Sequence, residues 1–176
     1  FMITEIEGIK VGHWTDSNAQ TGCTVILFPQ ETVASGEIRG GAPATRDFAL
    51  LEPTRLVDQI NAVVLSGGSA FGLSAWSGVM EFLEEAKIGF STSAGKVPIV
   101  VGLSLFDLGS GSSTVRPGHQ EGKEAASVAS AIAPLGRVGA GAGATVSKWR
   151  GKEFSELGGL GGATLREGNL IVSCLI

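Results

Sequence analysis

Gly67-Gly68-Ser69-Ala70-Phe71-Gly72 stands one residue after the apolar run Ala62–Leu65 and before a stretch with helical spacing. A strand-to-helix turn of this composition suits one kind of chemistry. The backbone N–H groups of Gly67, Gly68 and Ser69 gather at a helix N-terminus, where the dipole favours an anion or an oxyanion. The same residues also read as a plain turn, with Ser69 as the N-cap. The run is neither a Gly-x-Ser-x-Gly nucleophile elbow nor a P-loop, because no Gly-Lys-Ser/Thr closes it. A second small-residue run, Gly139-Ala140-Gly141-Ala142-Gly143-Ala144-Thr145, leads into Val146-Ser147-Lys148. It does not satisfy the dinucleotide fingerprint, but a strand bordered by small residues lets a substrate approach the backbone closely. Lys148 activates a nucleophile if it is desolvated, and is otherwise a solvated lysine at a strand end. His13 and His119, the only histidines, have no Ser, Asp or metal-ligand spacing beside them. Neither a catalytic triad within the chain nor a metal or cofactor site is expected. Asp107, between Phe106 and Leu108, reads as a buried hydrogen-bond acceptor, with a site role as the other option.

The elements that must position these residues alternate irregularly. Ile9–His13, Gly22–Phe28 and Thr32–Arg39 read as strands, rich in Val, Ile and Thr and separated by turn residues. Thr45–Leu51 and Arg55–Ile60 read as helical turns around Pro53, and Ala62–Leu65 as a buried strand. A helix is expected over about Phe71–Lys87, with Phe71, Ala75, Val79, Phe82, Leu83 and Ala86 on one face. Further strand regions begin at Ile88–Phe90 and within Val97–Leu108. A second helix is expected over Pro117–Ala133, with Pro117 in its first turn. Arg137–Lys148 and Leu170–Ile176 read as strands. Runs of strands mixed with helices indicate a layered α/β sandwich rather than regular βαβ alternation.

The 176 residues suit a single domain, 1–176. The hydrophobic share is 43% and the charged share 17%, so the surface is expected to be small or partly covered by other subunits. A net charge of −4 with no basic cluster argues against nucleic acid. No apolar run approaches the roughly 20 residues needed to span a bilayer, and no signal peptide is evident. Cys23 and Cys174 are expected to be reduced and buried, which points to the cytoplasm. Leu170-Ile171-Val172-Ser173-Cys174-Leu175-Ile176 has the composition of a buried strand, and no polar exit follows it. A second piece of folded chain is therefore expected beside it, the other reading being a C-terminal strand that simply ends a sheet.

An ordered set of motifs carries a resemblance. Gly8-Ile9-Lys10-Val11-Gly12-His13, Gly22-Cys23-Thr24-Val25, Ile38-Arg39-Gly40-Gly41-Ala42-Pro43 and Val64-Leu65-Ser66-Gly67-Gly68-Ser69-Ala70-Phe71-Gly72-Leu73 come first. Val97-Pro98-Ile99-Val100, Phe106-Asp107-Leu108, Arg116-Pro117 and the Gly139–Thr145 run follow. Together they resemble the L-aminopeptidase/D-esterase family, which includes β-aminopeptidases and 6-aminohexanoate-oligomer hydrolases. The resemblance implies a four-layer α/β/β/α sandwich like that of the N-terminal-nucleophile hydrolases, assembled as a homo-oligomer. It implies a precursor that cuts itself once, after which the new N-terminal Ser or Thr of a second chain is the nucleophile and its free amine the base. The present residues then correspond to the larger chain. The two-glycine strand-to-helix turn itself leads to the expectation that Gly67, Gly68 and Ser69 line the substrate cavity with their N–H groups facing it. A family asparagine of the oxyanion hole would fall past Ile176.

Lys148 matches a lysine near the nucleophile in the oligoamide-hydrolase branch. Ser104 and Phe106 stand where the aminopeptidase branch has a substrate-binding glutamate and a tyrosine. Without an acid at Ser104 and a hydroxyl at Phe106, a free substrate ammonium is expected to bind weakly. The alternative function is a non-catalytic or acyltransferase homologue of the same architecture, related to ornithine acetyltransferase.

Overall fold

The computed structural model describes residues 2–176. In chain order the strands are β1 (Lys10–Asp16), β2 (Thr21–Leu27), β3 (Ala44–Arg46), β4 (Ala62–Ser66), β5 (Phe90–Thr92), β6 (Gly95–Val97), β7 (Val100–Ser104), β8 (Thr145–Val146), β9 (Glu156–Leu157), β10 (Gly162–Glu167) and β11 (Leu170–Leu175). Two α-helices, α1 (Ala75–Glu85) and α2 (His119–Ser127), complete the regular structure, with short 3-10 turns between elements. The main sheet has the order β1-β2-β4-β7-β3. All its pairs are antiparallel except β4–β7, which run side by side with Ser66 opposite Ser104.

Apolar alternation sets the layers. On β4, Ala62, Val64 and Ser66 are buried toward the helices, while Val63 and Leu65 face the other way and are half-buried. Cys23, Val25, Val64, Val79, Leu83, Val100 and Ala125 form the core between sheet and helices. The buried residues of α1, Ala75, Gly78, Val79 and Leu83, recur at helical spacing. The helices approach very closely: a Cβ on Gly78 would lie 1.8 Å from the His119 carbonyl oxygen, and one on Gly122 2.0 Å from that of Ala75. On the opposite face Ile9, Val11, Ile26 and Ala133 form a second cluster, against which Leu175 of the β10–β11 hairpin packs. The chain thus contributes a helical layer, a five-stranded sheet and a hairpin on the side where a second sheet is expected.

Several expected elements differ. Residues 32–39 are not a strand; only Val33 bridges, to Gln59, and it is 72% exposed. The first helix begins at Ala75, because Ser69–Ser74 forms a tight 3-10 turn entered through left-handed Gly68 and Ser69. The second helix stops at Ser127, since Ser130 leaves it to pair with Val11 of β1. Residues 137–148 hold a 3-10 turn and the two-residue β8 rather than a strand. The closing run does form β11, but its outer face is open: Leu170 and Val172 are exposed, and Cys174 with them. Cys23 is buried as expected, and burial pushes its thiol up to about 12. Among the described residues, no helix is long and apolar enough to cross a membrane.

Candidate functional site

The parallel strands β4 and β7 end together, and their exits build the floor of the site. Residues 67–69 leave β4 and residues 105–107 leave β7 in mutual contact. Leu105 N–H donates to the Ser66 carbonyl (2.9 Å), and Ser69 N–H donates to that of Leu105 (2.9 Å). Gly67 N–H donates to Gly22 O (2.8 Å) on β2. Asp107, only 3% exposed, ties the rest together: Gly68 N–H donates to its Oδ1 (2.7 Å) and the Thr21 hydroxyl to its Oδ2 (2.7 Å). Gly67 is required here, since a Cβ on it would meet Asp107 Oδ2 at 2.0 Å and Thr21 Oγ1 at 2.5 Å.

The N–H groups of Gly67, Gly68 and Ser69 are all used inside the fold rather than facing a cavity, and none of the three residues lines either of the two hollows that adjoin this floor. Nor is Ser69 the N-cap: Gly68 holds that position, with no side-chain cap bond. The Ser104 hydroxyl is likewise held inside the fold. It lies 2.5 Å from the Ser69 carbonyl oxygen, with those of Ser66 (3.0 Å) and Gly67 (3.1 Å) also in reach. It accepts a bond from the Ser66 hydroxyl (3.2 Å). Ser104 therefore braces the turn, while its outer surface forms part of a cavity wall.

Two cavities adjoin this floor. The smaller, about 240 Å³, is lined by Ser66, Ser104, Leu105, Ala144, Leu160 and Ile176 among others. The larger is an open cleft of about 510 Å³ whose walls include Gln20, Phe106, Thr145, Lys148, Lys152 and Leu157. The consecutive pairs Leu105–Phe106 and Ala144–Thr145 divide between the two, so one wall separates them. Phe106 is 67% exposed, and its ring forms an apolar side of the cleft. Lys148 is exposed and begins the 3-10 turn Lys148–Arg150, entered through left-handed Ser147. The structure thus brings Phe106 and Lys148 into one cleft, sets Ser104 in the neighbouring cavity and places Gly67–Ser69 behind the wall. Lys152 and Gln20 are not singled out by the sequence. The four-residue spacing from Lys148 to Lys152 was the available signal.

The small-residue run packs against the protein's own backbone rather than against open space. Gly139 N–H donates to the Thr15 hydroxyl (2.7 Å) and Ala140 N–H to the Thr24 hydroxyl (3.1 Å). Thr24 in turn donates to His13 Nδ1 (3.0 Å), because His13 Nε2 faces the Pro134 carbonyl (3.1 Å), which only accepts. Burial pushes the His13 imidazole below its ordinary value, against the pull of the Pro134 carbonyl, which favours the charged form. His119 pairs instead with Glu81 (2.7 Å) on the helical face, beside Lys123. Neither histidine lines the cleft. Among the described residues, no group of three His, Cys, Asp or Glu side chains is placed to hold a metal ion.

Comparison with known proteins places this geometry in context. Residues 2–164 match the model of peptidase family S58. An "uncharacterized aminopeptidase" of Mycobacterium tuberculosis is 40% identical over 174 residues, covering 94% of this chain and 49% of the relative. The 6-aminohexanoate-oligomer endohydrolase of Kocuria sp. is 28% identical over 175 residues, covering 98% of this chain and 46% of that enzyme. The chain thus spans about half the length of the curated relatives it matches. Among solved structures, the L-aminopeptidase D-Ala-esterase/amidase of Ochrobactrum anthropi, described as a variant of the Ntn hydrolase fold, aligns with a TM-score of 0.68 at 15% identity. That alignment covers 98% of this chain and 50% of the neighbour. A β-aminopeptidase of Burkholderia sp. aligns at 0.66 and 19% identity, over 93% of this chain and 46% of its own. The fold is that of the Ntn-hydrolase aminopeptidases.

Proposed function

The chain belongs to peptidase family S58, and on that premise we propose that it forms the larger part of an amide or peptide hydrolase. The observation that carries the reading is the family match over residues 2–164. In this reading the nucleophile is a Ser or Thr outside residues 1–176, freed as a new N-terminus by one self-cleavage. Its α-amine takes the hydroxyl proton, the oxygen attacks the amide carbonyl, the amine leaves with a proton, and water releases the acyl group. The cleft at Phe106 and Lys148 receives the substrate, and Lys148 assists beside the nucleophile. The open apolar face of the β10–β11 hairpin is where the second chain packs, and the assembled protein is a homo-oligomer.

The cleft also bears on specificity. Phe106 carries no hydroxyl, the Ser104 hydroxyl is held by the turn, and no Asp or Glu among the described residues lines the 510 Å³ cleft. An ammonium group needs a paired anion there, and losing one partner of such a pair costs on the order of 2–5 kcal/mol. Neutral amides, oligoamides or esters are therefore better substrates than free amines.

The test is expression of the protein at its relatives' full length. Denaturing gels and intact mass should show two chains, and Lys148→Ala should accumulate uncut precursor or lose most turnover. A single uncut chain that hydrolyses neither esters nor amides would overturn the reading in favour of a non-catalytic homologue. Normal processing and turnover in Lys148→Ala would remove Lys148 from the mechanism.

A further inference from the structure

The larger cleft has a charge pattern that the hydrolase reading does not use. Lys148 and Lys152 both line it, with the exposed apolar side chains Phe106 and Leu157 on the same walls. Among the described residues, neither lysine forms an ion pair or a side-chain hydrogen bond. The cations around them are differently placed. Arg150 stacks on Phe154 (4.7 Å), Arg137 donates to the Ala142 carbonyl (3.1 Å), and Arg116 lies over Phe71 (4.0 Å). The nearby acids Glu153 and Glu156 line a separate hollow together with Arg150. The cleft therefore holds two unpaired ammonium groups against apolar surface, with no acid among the described residues that line it.

We propose that this cleft selects substrates bearing a carboxylate on an apolar body, and that Lys152 is the residue that binds the carboxylate. The proposal rests on the hydrolase reading for its role in turnover, but not for the binding it describes. A carboxylate between the two lysines relieves their mutual repulsion and makes charge-assisted hydrogen bonds. The aliphatic or aromatic part of the same molecule lies along Phe106 and Leu157, removing apolar surface from water. A free ammonium would meet two like charges, so rejection of free amines and preference for acids have the same cause. Lys148 remains the group beside the nucleophile; Lys152 acts on recognition.

The first test needs no turnover. Calorimetric titration of the processed, full-length protein should show 3-phenylpropionate binding about tenfold more tightly than 3-phenylpropionamide. The preference should shrink in high salt. Lys152→Gln should abolish it, and Lys152→Arg should restore it. Equal binding of acid and amide, or an undiminished preference in Lys152→Gln, overturns the proposal. The kinetic test has two arms, one for each end of a substrate. Glutaryl anilide is compared with butyryl anilide, and an N-acetyl dipeptide with its C-terminal amide. At least one acid should be preferred about tenfold in kcat/KM, with the Lys152→Gln loss appearing in KM rather than kcat. Hydrolysis without preference in either arm also overturns the proposal and leaves the hydrolase reading intact. An absence of hydrolysis together with an acid preference in the titration overturns the hydrolase reading instead.

Discussion

Removing the Asp107 carboxylate should unravel the floor of the site, and the size of the loss follows from its two bonds. Asp107 accepts from Gly68 N–H and from the Thr21 hydroxyl, each at 2.7 Å, with Asp107 3% and Thr21 2% exposed. Asp107→Ala leaves both donors buried without a partner, at about 1–3 kcal/mol each and about 2–6 kcal/mol together. Asp107→Asn keeps the shape. Its amide oxygen still accepts from Gly68, and its amide nitrogen donates to a Thr21 hydroxyl that turns to accept, so the loss is about 1 kcal/mol. Gly67→Ala reaches the same centre by another route, because its Cβ would lie 2.0 Å from Asp107 Oδ2. Neither backbone nor carboxylate yields easily there, and overpacking costs about 1–3 kcal/mol. Urea unfolding of the full-length protein, followed by circular dichroism at constant slope, measures all three. The expected ranking from least to most damaging is Asn, Gly67→Ala, then Asp107→Ala. An Asp107→Ala variant within about 1 kcal/mol of the parent, or an Asn variant as damaging as Ala, would refute the hydrogen-bond reasoning.

Two other sites give sharp expectations. At the α1–α2 crossing, Gly78→Ala improves helix propensity by up to about 1 kcal/mol, yet its Cβ would sit 1.8 Å from the His119 carbonyl oxygen. That oxygen belongs to the backbone and has no rotamer to change, so the clash wins and the melting temperature should fall by about 4 °C in differential scanning calorimetry. His13 is held neutral, its affinity for a proton lowered by burial. Its contribution to stability is complete above the ordinary histidine value of 6.5 and is lost as pH falls from there toward the lowered folded value. Urea midpoints should therefore decline on acidification below about pH 6.5, and His13→Gln should remove that part of the decline.

Four strands of the main sheet and both helices are legible in the residues, because their apolar periodicities are strong, whereas the edge strand β3 lies where a helical turn is expected. Ala62–Ser66 and Ala75–Glu85 appear where the pattern puts them, within a few residues. What escaped was set by contacts distant in the chain. Helix α2 ends early because Ser130 pairs with Val11, a partner that no local propensity reveals. The Gly67–Ser69 turn has the composition of an anion site, yet its N–H groups belong to Gly22, Asp107 and Leu105, and only the tertiary fold decides that. The alternating glycines of 139–143 read as an open strand because small size serves equally for a ligand's approach and for close packing of backbone. Lys152 was overlooked because a lysine in a polar segment is unremarkable until Phe106 and Leu157 are seen beside it. The family, by contrast, was legible from an ordered set of short motifs, each weak alone.

The Asp107 anchor also has a consequence for the order of folding. Its bond to Thr21 joins residues 86 apart in the chain, and its bond to Gly68 joins residues 39 apart. Closing such loops costs conformational entropy that grows with their length, and neither bond repays that cost until β2, β4 and β7 are already paired. The floor of the site is therefore among the last parts to take shape, late in the transition rather than in its nucleus. A chain with a mispaired sheet holds neither the turn nor the wall between the two cavities. Whatever depends on this floor is therefore available only to molecules that have finished folding.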